Sequence, residues 1–162
     1  MIKSNNHFNI NTASIVEGDF VYLLGHYDGP NDNPLERVAI LCRIPIEKLD
    51  SAHPGDSIQY WSKGGQWLPT RNNVAPLFQP GTTESSLYYD SAHKRYITAV
   101  IRPFSPDYYI FTAEKLTGPW SEPQKIYNIP DLQRNKLYHA YAGRLHPMLP
   151  CKPNELVLSY VV

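Results

Sequence analysis

Short apolar runs separated by turn residues dominate the pattern of hydrophobic and polar positions along the chain. Runs of this length, rich in β-branched and aromatic residues, predict strands. They include TASIV, FVYLLGHY, RVAILCRIP, SSLYYD, RYITAVI, YYIFTAE, GRLHPML and ELVLSYVV. Turn residues fill the gaps, as in EGD, DGPNDNP and SAHK. Only IEKLD and DLQRNK have helical character, and each is barely a turn or two long. The pattern therefore predicts an all-β fold.

The order of the runs repeats. TASIVEGDFVYLLG resembles ESSLYYDSAHKRYITAV, so that Ser14 corresponds to Ser86, and a third copy begins at GRLHPML with His146 in the corresponding place. Each of the first two units continues with a third strand and a Trp-bearing fourth segment. Repeated units of four antiparallel strands are typical of β-propeller blades. We therefore predict a partial five-bladed propeller of about two and a half blades, at 7–75, 80–130 and 138–162.

Composition supports one domain and excludes two classes of function. The 162 residues carry 15 basic and 15 acidic side chains, so the formal net charge is zero and the footprint of a nucleic-acid binder is missing. No apolar run approaches the ~20 residues that a membrane span needs. The first residues, MIKSNNHFNINTA, lack the apolar core of a secretory signal, and the compartment stays open. The 15 prolines and 12 tyrosines fit many short strands.

A resemblance to a known family rests on GPWSEPQKIYNIPD, YHAYAGRLHPML and NELVLSYVV. These strings resemble a group of five-bladed propellers, the domain-of-unknown-function families 4185 and 5005, which are similar to glycoside hydrolases of families 43 and 32. The match spans nearly the whole chain and is sharpest at TGPW and at YAG-x-x-HP. The family pattern continues Ser159 and Tyr160 with Asn, whereas this chain has Val161 and Val162. The resemblance implies a fragment of a carbohydrate-active hydrolase, inactive alone, or alternatively a non-catalytic glycan-binding or scaffolding propeller. Relatives that act on polysaccharides are generally exported.

Glu84 is the candidate catalytic residue. It precedes the strand SSLYYD, and the resemblance places the start of that strand at the central funnel, where related glycosidases carry one carboxylate per blade. A glycosidic oxygen needs a proton to leave, and a partly desolvated carboxyl group can supply it. The alternative is a solvated charge or a hydrogen-bond acceptor at the start of a strand.

Four further residues are candidates for substrate binding. Thr12 precedes Ser14 as Glu84 precedes Ser86, so the first unit has Thr12 where an Asp would be expected; its neighbour Asn11 either binds a sugar hydroxyl or caps a turn. Arg144 and His146 are two positions apart and would share one face of a strand, with Tyr141 nearby. A guanidinium fork, an imidazole and an aromatic ring suit a polar sugar. The alternative for His146 is a bond to a backbone carbonyl between blades.

Neither a metal nor a cofactor is predicted. DGPNDN resembles a calcium loop in composition but lacks the final Glu of an EF-hand, and no CxxC or HExxH motif occurs. Cys42 lies in a strand and Cys151 in a loop, and the spacing leaves their pairing open.

The expected partners are a carbohydrate ligand and a protein chain. Trp61, Trp67 and Trp120 fall in the outer segments of blades, where packing is favoured over a sugar-stacking platform. Open strand edges favour a second copy or a partner that supplies missing blades. Neither nucleic acid nor a membrane is expected.

Overall fold

The computed structural model describes residues 7–29, 32–131, 139–152 and 155–162. Within these ranges the chain is built from antiparallel strands and a few 3₁₀ turns, and the all-β prediction is confirmed. The IEKLD segment forms one such turn, Ile46–Lys48. The other helical candidate, DLQRNK, lies outside the described residues beyond Asp131. No helix of the described ranges is long and apolar enough to span a membrane.

Eleven strands of the described ranges form three sheets that follow one another along the chain. The first sheet has the order β1-β2-β3-β4-β5, the second β6-β7-β8-β9, and the third β10-β11. The strands are β1 (Phe8–Glu17), β2 (Phe20–Tyr27), β3 (Val38–Pro45), β4 (Gln59–Trp61), β5 (Trp67–Leu68), β6 (Ser86–Asp90), β7 (Arg95–Ile101), β8 (Asp107–Ala113), β9 (Gln124–Asn128), β10 (Tyr141–Leu145) and β11 (Leu158–Val161). The first sheet has five strands instead of the predicted four because YWSKGGQW forms a small hairpin, with Trp61 paired to Trp67.

The second sheet is buried on both faces by its neighbours. Along β7, Tyr96 and Val100 belong to a core shared with Leu24 and Leu41 of the first sheet. The alternate positions, including Ile97 and Ala99, belong to a core shared with Leu145 of the third sheet. Because successive side chains of a strand point to opposite faces, this explains why RYITAVI reads as a continuous apolar run. The three sheets therefore pack face to face in chain order.

The first strands of the three sheets are neighbours, with β6 lying against both β1 and β10. The amide of Ser85 donates to the carbonyl of Thr12 at 3.1 Å, and their hydroxyls are also 3.1 Å apart. The amide of Leu145 donates to the hydroxyl of Ser86 at 2.9 Å. Residues at the starts of these strands are therefore brought close together.

The tryptophans pack against the core, and the two cysteines do not form a disulfide. Trp61, Trp67 and Trp120 pack against the core between the first two sheets, in agreement with the packing interpretation. Cys42 is a buried free thiol in β3 and Cys151 an exposed one, so the two do not pair.

Candidate functional site

A cavity of about 200 Å³ lies between the start of β6 and the start of β10. We call it the Glu84 pocket. Its polar and aromatic lining comes from four separate parts of the chain: Arg37, Thr83, Glu84, Phe104, His139 and Tyr141. The pocket exists because β6 and β10 are adjacent, so that the segment before β6 faces the segment before β10.

The Glu84 carboxylate is half-buried and already hydrogen-bonded. Its Oε2 accepts from the backbone amide of Ala142 and from the hydroxyl of Thr83, both at 3.3 Å. The hydroxyl of Thr82 donates to the Glu84 carbonyl, and the next residue, Ser85, is fixed to Thr12 of β1. These local bonds hold the carboxylate at the pocket wall.

Aromatic rings border the same pocket. Tyr141 is 53% exposed and Phe104 is 74% exposed. The ring of Phe104 packs edge-on against the imidazole of His139, with centroids 6.0 Å apart and an angle of 87° between the planes. Exposed rings beside a carboxylate offer a ligand apolar ring faces, and the Tyr141 hydroxyl and the His139 ring nitrogens offer it polar contacts.

Arg37 brings a positive charge to the pocket and forms an ion pair with Asp28. Arg37 Nε lies 2.5 Å from Asp28 Oδ1, and Nη2 lies 3.3 Å from Oδ2. The two side chains are 12% and 8% exposed. Burial by itself would raise the pKa of Asp28, but the hydrogen bonds and the charge of Arg37 outweigh it and hold that pKa below its ordinary value. The pair fixes the direction of the guanidinium.

Next to this ion pair, His7, His26 and Asp28 form what we call the imidazole–carboxylate cluster. One ligand atom from each lies within 4.8 Å of the other two. His26, in β2, has no exposed surface, and neither of its ring nitrogens has a hydrogen-bond partner among the described residues. Burial and, after it, the charge of Arg37 lower the pKa of His26 to about 4. The backbone of Thr82 raises this pKa slightly, but it is not placed to form a hydrogen bond with the ring. The buried imidazole is therefore neutral at neutral pH.

The structure brings Glu84 and Tyr141 together in one pocket, but it places the other three predicted site residues elsewhere. Asn11 is exposed, has a φ of 72° and lies at an irregularity in β1. Arg144 Nη1 lies 3.4 Å from the carbonyl of Ser85, outside the lining of the pocket. His146 lines a different cavity with Cys151, and its Nε2 is 2.7 Å from the hydroxyl of Ser159.

Sequence reasoning missed Arg37, Asp28 and His26. One signal was present, since His26 and Asp28 flank Tyr27 at the end of an apolar run and spacing by two positions puts both side chains on one face. A polar ring within a buried strand is itself unusual. Nothing in the local pattern around Arg37 indicates that it reaches the segment before β6, because that contact spans two sheets.

Comparison with known proteins gives a family and a fold. Residues 1–162 match the model of a family described as "Domain of unknown function (DUF4185)". No curated protein matches the chain. A crystal structure of a "putative hydrolase" from Bacteroides ovatus is similar, with a TM-score of 0.63 and 16% sequence identity. The alignment covers 94% of this chain and only 38% of that one, and at this identity the likeness concerns the fold alone.

Proposed function

The chain belongs to the DUF4185 family, and from that premise we propose that it forms part of a carbohydrate-active hydrolase in which Glu84 is the general acid. The observation that carries the proposal is the position of the Glu84 carboxylate in a pocket with Arg37 and the exposed rings of Phe104, His139 and Tyr141. The likeness to the Bacteroides ovatus protein supports the hydrolase class only through the shared fold.

The proposal treats the three sheets as successive blades of a propeller. Two features support this arrangement: the sheets pack face to face in chain order, and their first strands β1, β6 and β10 are neighbours. Radial repetition of antiparallel sheets puts first strands at the centre. The chain spans 38% of the length of its structural neighbour, which leaves room for further blades in the whole protein.

Glu84 lies where its carboxyl group can reach a ligand bound in the pocket. It is half-buried at a pocket wall, and its Oε2 is the carboxylate oxygen that accepts from Ala142 and Thr83. Proton transfer to a glycosidic oxygen requires a carboxyl group within hydrogen-bonding distance of that oxygen. Tyr141 and Phe104 line the same pocket, so a sugar ring stacked on either of them would share the pocket with Glu84.

Arg37 gives the pocket a fixed hydrogen-bond donor for sugar hydroxyls or a negatively charged substituent. Its guanidinium has more donors than the Asp28 carboxylate uses, so others remain for a ligand. The ion pair with Asp28 lowers the entropy that Arg37 would otherwise lose on binding. Asp28 is therefore a positioning residue in this proposal.

Glycoside hydrolysis uses two carboxyl groups, one on each side of the scissile bond. Glu84 is the only carboxylate among the described residues that line the pocket. The second one would come from elsewhere in the whole protein. We therefore expect residues 1–162 alone to bind sugars without cleaving them.

The test is hydrolysis of a panel of glycans by this chain and by any longer gene product that contains it. Glu84→Gln in the longer product should abolish the activity that depends on leaving-group protonation, with an expected loss of about 10²–10⁴-fold. Glu122→Gln, which alters an exposed carboxylate in the segment between β8 and β9, is the matched control and should keep full activity. Equal activity of the two variants would exclude Glu84 as the acid.

A non-catalytic glycan-binding module is the second candidate. The observation in its favour is that the position predicted to match Glu84 in β1 is Thr12, whose hydroxyl is engaged by Ser85, so no carboxylate is present there. A longer product that binds glycans and cleaves none, with or without Glu84, would favour this function over the enzyme.

A further inference from the structure

His26 presents an unusual buried group. Its side chain has no exposed surface, and neither Nδ1 nor Nε2 has a hydrogen-bond partner among the described residues. A buried polar group without a partner destabilises the folded state, because its lost hydrogen bonds to water are not replaced. Such groups in native proteins call for an explanation, and a bound ion is one of the common ones.

Two other ligand atoms lie beside this imidazole. His26 Nε2 is 3.8 Å from Asp28 Oδ1, and His7 Nδ1 is 4.0 Å from Asp28 Oδ2. The two rings are nearly parallel, with centroids 6.1 Å apart. We propose that His7, His26 and Asp28 bind a divalent transition-metal ion of the Zn²⁺ class.

The separations suit such an ion. Bonds of about 2.0–2.2 Å to imidazole nitrogen and carboxylate oxygen in a tetrahedral site put ligand atoms about 3.4 Å apart. The observed separations are longer: 3.8 Å from His26 Nε2 to Asp28 Oδ1 and 4.0 Å from His7 Nδ1 to Asp28 Oδ2, with all three ligand atoms within 4.8 Å of one another. Rotation of the exposed His7 side chain would bring its imidazole nitrogen closer to the other two ligand atoms.

The donor set selects the class of metal. Two imidazoles and one carboxylate match the ligands that Zn²⁺ and its neighbours accept, whereas Ca²⁺ and Mg²⁺ prefer oxygen ligands throughout. Three protein ligands leave a fourth position for water, as in open zinc sites. His7 is 62% exposed, so the site has an entry path from solvent.

Surrounding groups hold the ligands in place. Arg37 donates to both oxygens of the Asp28 carboxylate, and a carboxylate has enough lone pairs for both a guanidinium and a metal. Outer partners of this kind orient metal ligands. Gly81 packs against His26 so closely that a Cβ there would lie 3.2 Å from the His26 Cβ. The backbone of the segment before β6 is thereby packed directly on the base of the His26 side chain.

The site lies at one end of the paired strands β1 and β2, where Phe8 is opposite Tyr27. The carbonyl of His7 accepts from the amide of Asp28 at 2.9 Å, which places the beginning of the described chain beside the end of β2. A metal across His7, His26 and Asp28 would fix that segment and, through Asp28, the direction of Arg37. This role is independent of whether Glu84 catalyses hydrolysis.

The test is titration of the metal-stripped protein with Co²⁺, whose visible absorption reports nitrogen and oxygen ligation, followed by displacement with Zn²⁺. We expect saturation at one equivalent. His7→Ala should weaken the affinity by more than about 100-fold, because loss of even an outer partner costs up to that much. His53→Ala, which alters an exposed histidine in the segment between β3 and β4, is the matched control and should bind as the unaltered chain does.

His7→Ala keeps the test decisive, because His7 is mostly exposed and its loss should not prevent folding, unlike a change at buried His26. Thermal unfolding gives a second measurement: Zn²⁺ should raise the melting temperature of the unaltered chain and of His53→Ala, but not of His7→Ala. The proposal is overturned if Co²⁺ shows no saturable absorption, or if His7→Ala and His53→Ala bind it equally well. Neither readout depends on glycan hydrolysis.

Discussion

The Glu84 carboxylate accepts a hydrogen bond from the backbone amide of Ala142, 3.3 Å away and 58 positions later in the chain. Ala142 has a φ of 53° and lies where the pairing of β10 with β11 shifts register, between Tyr141 and Arg144. An extra residue at a β-bulge is left out of the ladder, so its amide can bond elsewhere. The irregularity in β10 thus supplies the donor that fixes the candidate acid.

Loss of the guanidinium at Arg37 should destabilise the protein strongly. Arg37→Met would leave the buried Asp28 carboxylate without its main partner, and breaking a buried ion pair in this way costs about 3–5 kcal/mol. Urea unfolding measures the change. Lys48→Met is the control, since Lys48 and Glu47 are exposed and their ion pair is worth no more than about 1 kcal/mol. Similar losses for both variants would contradict the buried-pair interpretation.

Substitution of Gly143 should disturb the packing of β10 on the second sheet. A Cβ at Gly143 would lie 2.8 Å from Ile101 Cγ1 and 2.9 Å from the hydroxyl of Tyr108. Gly143→Ala is therefore expected to cost about 1–3 kcal/mol of unfolding free energy, as overpacking does. Gly55→Ala, where a Cβ meets nothing within 4 Å, should be nearly neutral in the same denaturation experiment. If the two alanines prove equally harmless, β10 does not pack as described.

Asp107 should make stability depend on pH in acid. Burial would raise its pKa, but hydrogen bonds from Asn128 and Lys125 prevail and hold it below the ordinary value of 3.8. The unfolded chain then binds a proton more readily than the folded one, so the contribution is complete above pH 3.8 and disappears as the pH falls through the folded-state pKa.

Asp107→Asn should accordingly cost about 1 kcal/mol at neutral pH, and the difference from the unaltered chain should shrink below about pH 4. Denaturation midpoints measured across that pH range test this. Asp56→Asn, at an exposed position, serves as the comparison. A constant difference at all pH values would refute the linkage.

The two thiols should differ in reactivity. Cys42 has no exposed surface, and burial raises its pKa to about 12, so almost no thiolate is available for alkylation. Cys151 is exposed. Iodoacetamide should therefore add one group to the native chain and two to the denatured chain, as measured by mass. Native Cys151→Ser should take up none, and labelling of that variant would show that β3 opens.

Part of the candidate site was predictable. Glu84 was found because a lone carboxylate precedes a clear strand, and Tyr141 because it begins another. Arg37, Phe104 and His139 were not, since each reaches the pocket through contacts between sheets that leave no local pattern.

The alignment of the first and third repeats predicted from the sequence differs from the structural one by a single position. The sequence pattern matches Ser14 with His146. The bulges at Asn11 and Ala142, both with positive φ, match Ser14 with Leu145 instead. A slip of one position moves every side chain to the other face of a strand. The placement of His146 in a different cavity from Glu84 is in keeping with this shift.

By itself the sequence determined the strands, their order and their antiparallel pairing, because apolar alternation and turn residues act between near neighbours in the chain. Only the tertiary structure decided which side chains meet. Glu84 faces Ala142, Arg37 binds Asp28, and His7 lies beside His26, through packing and bulges whose energies depend on residues far apart in sequence. Long-range contacts of this kind have no periodicity that a single sequence can display.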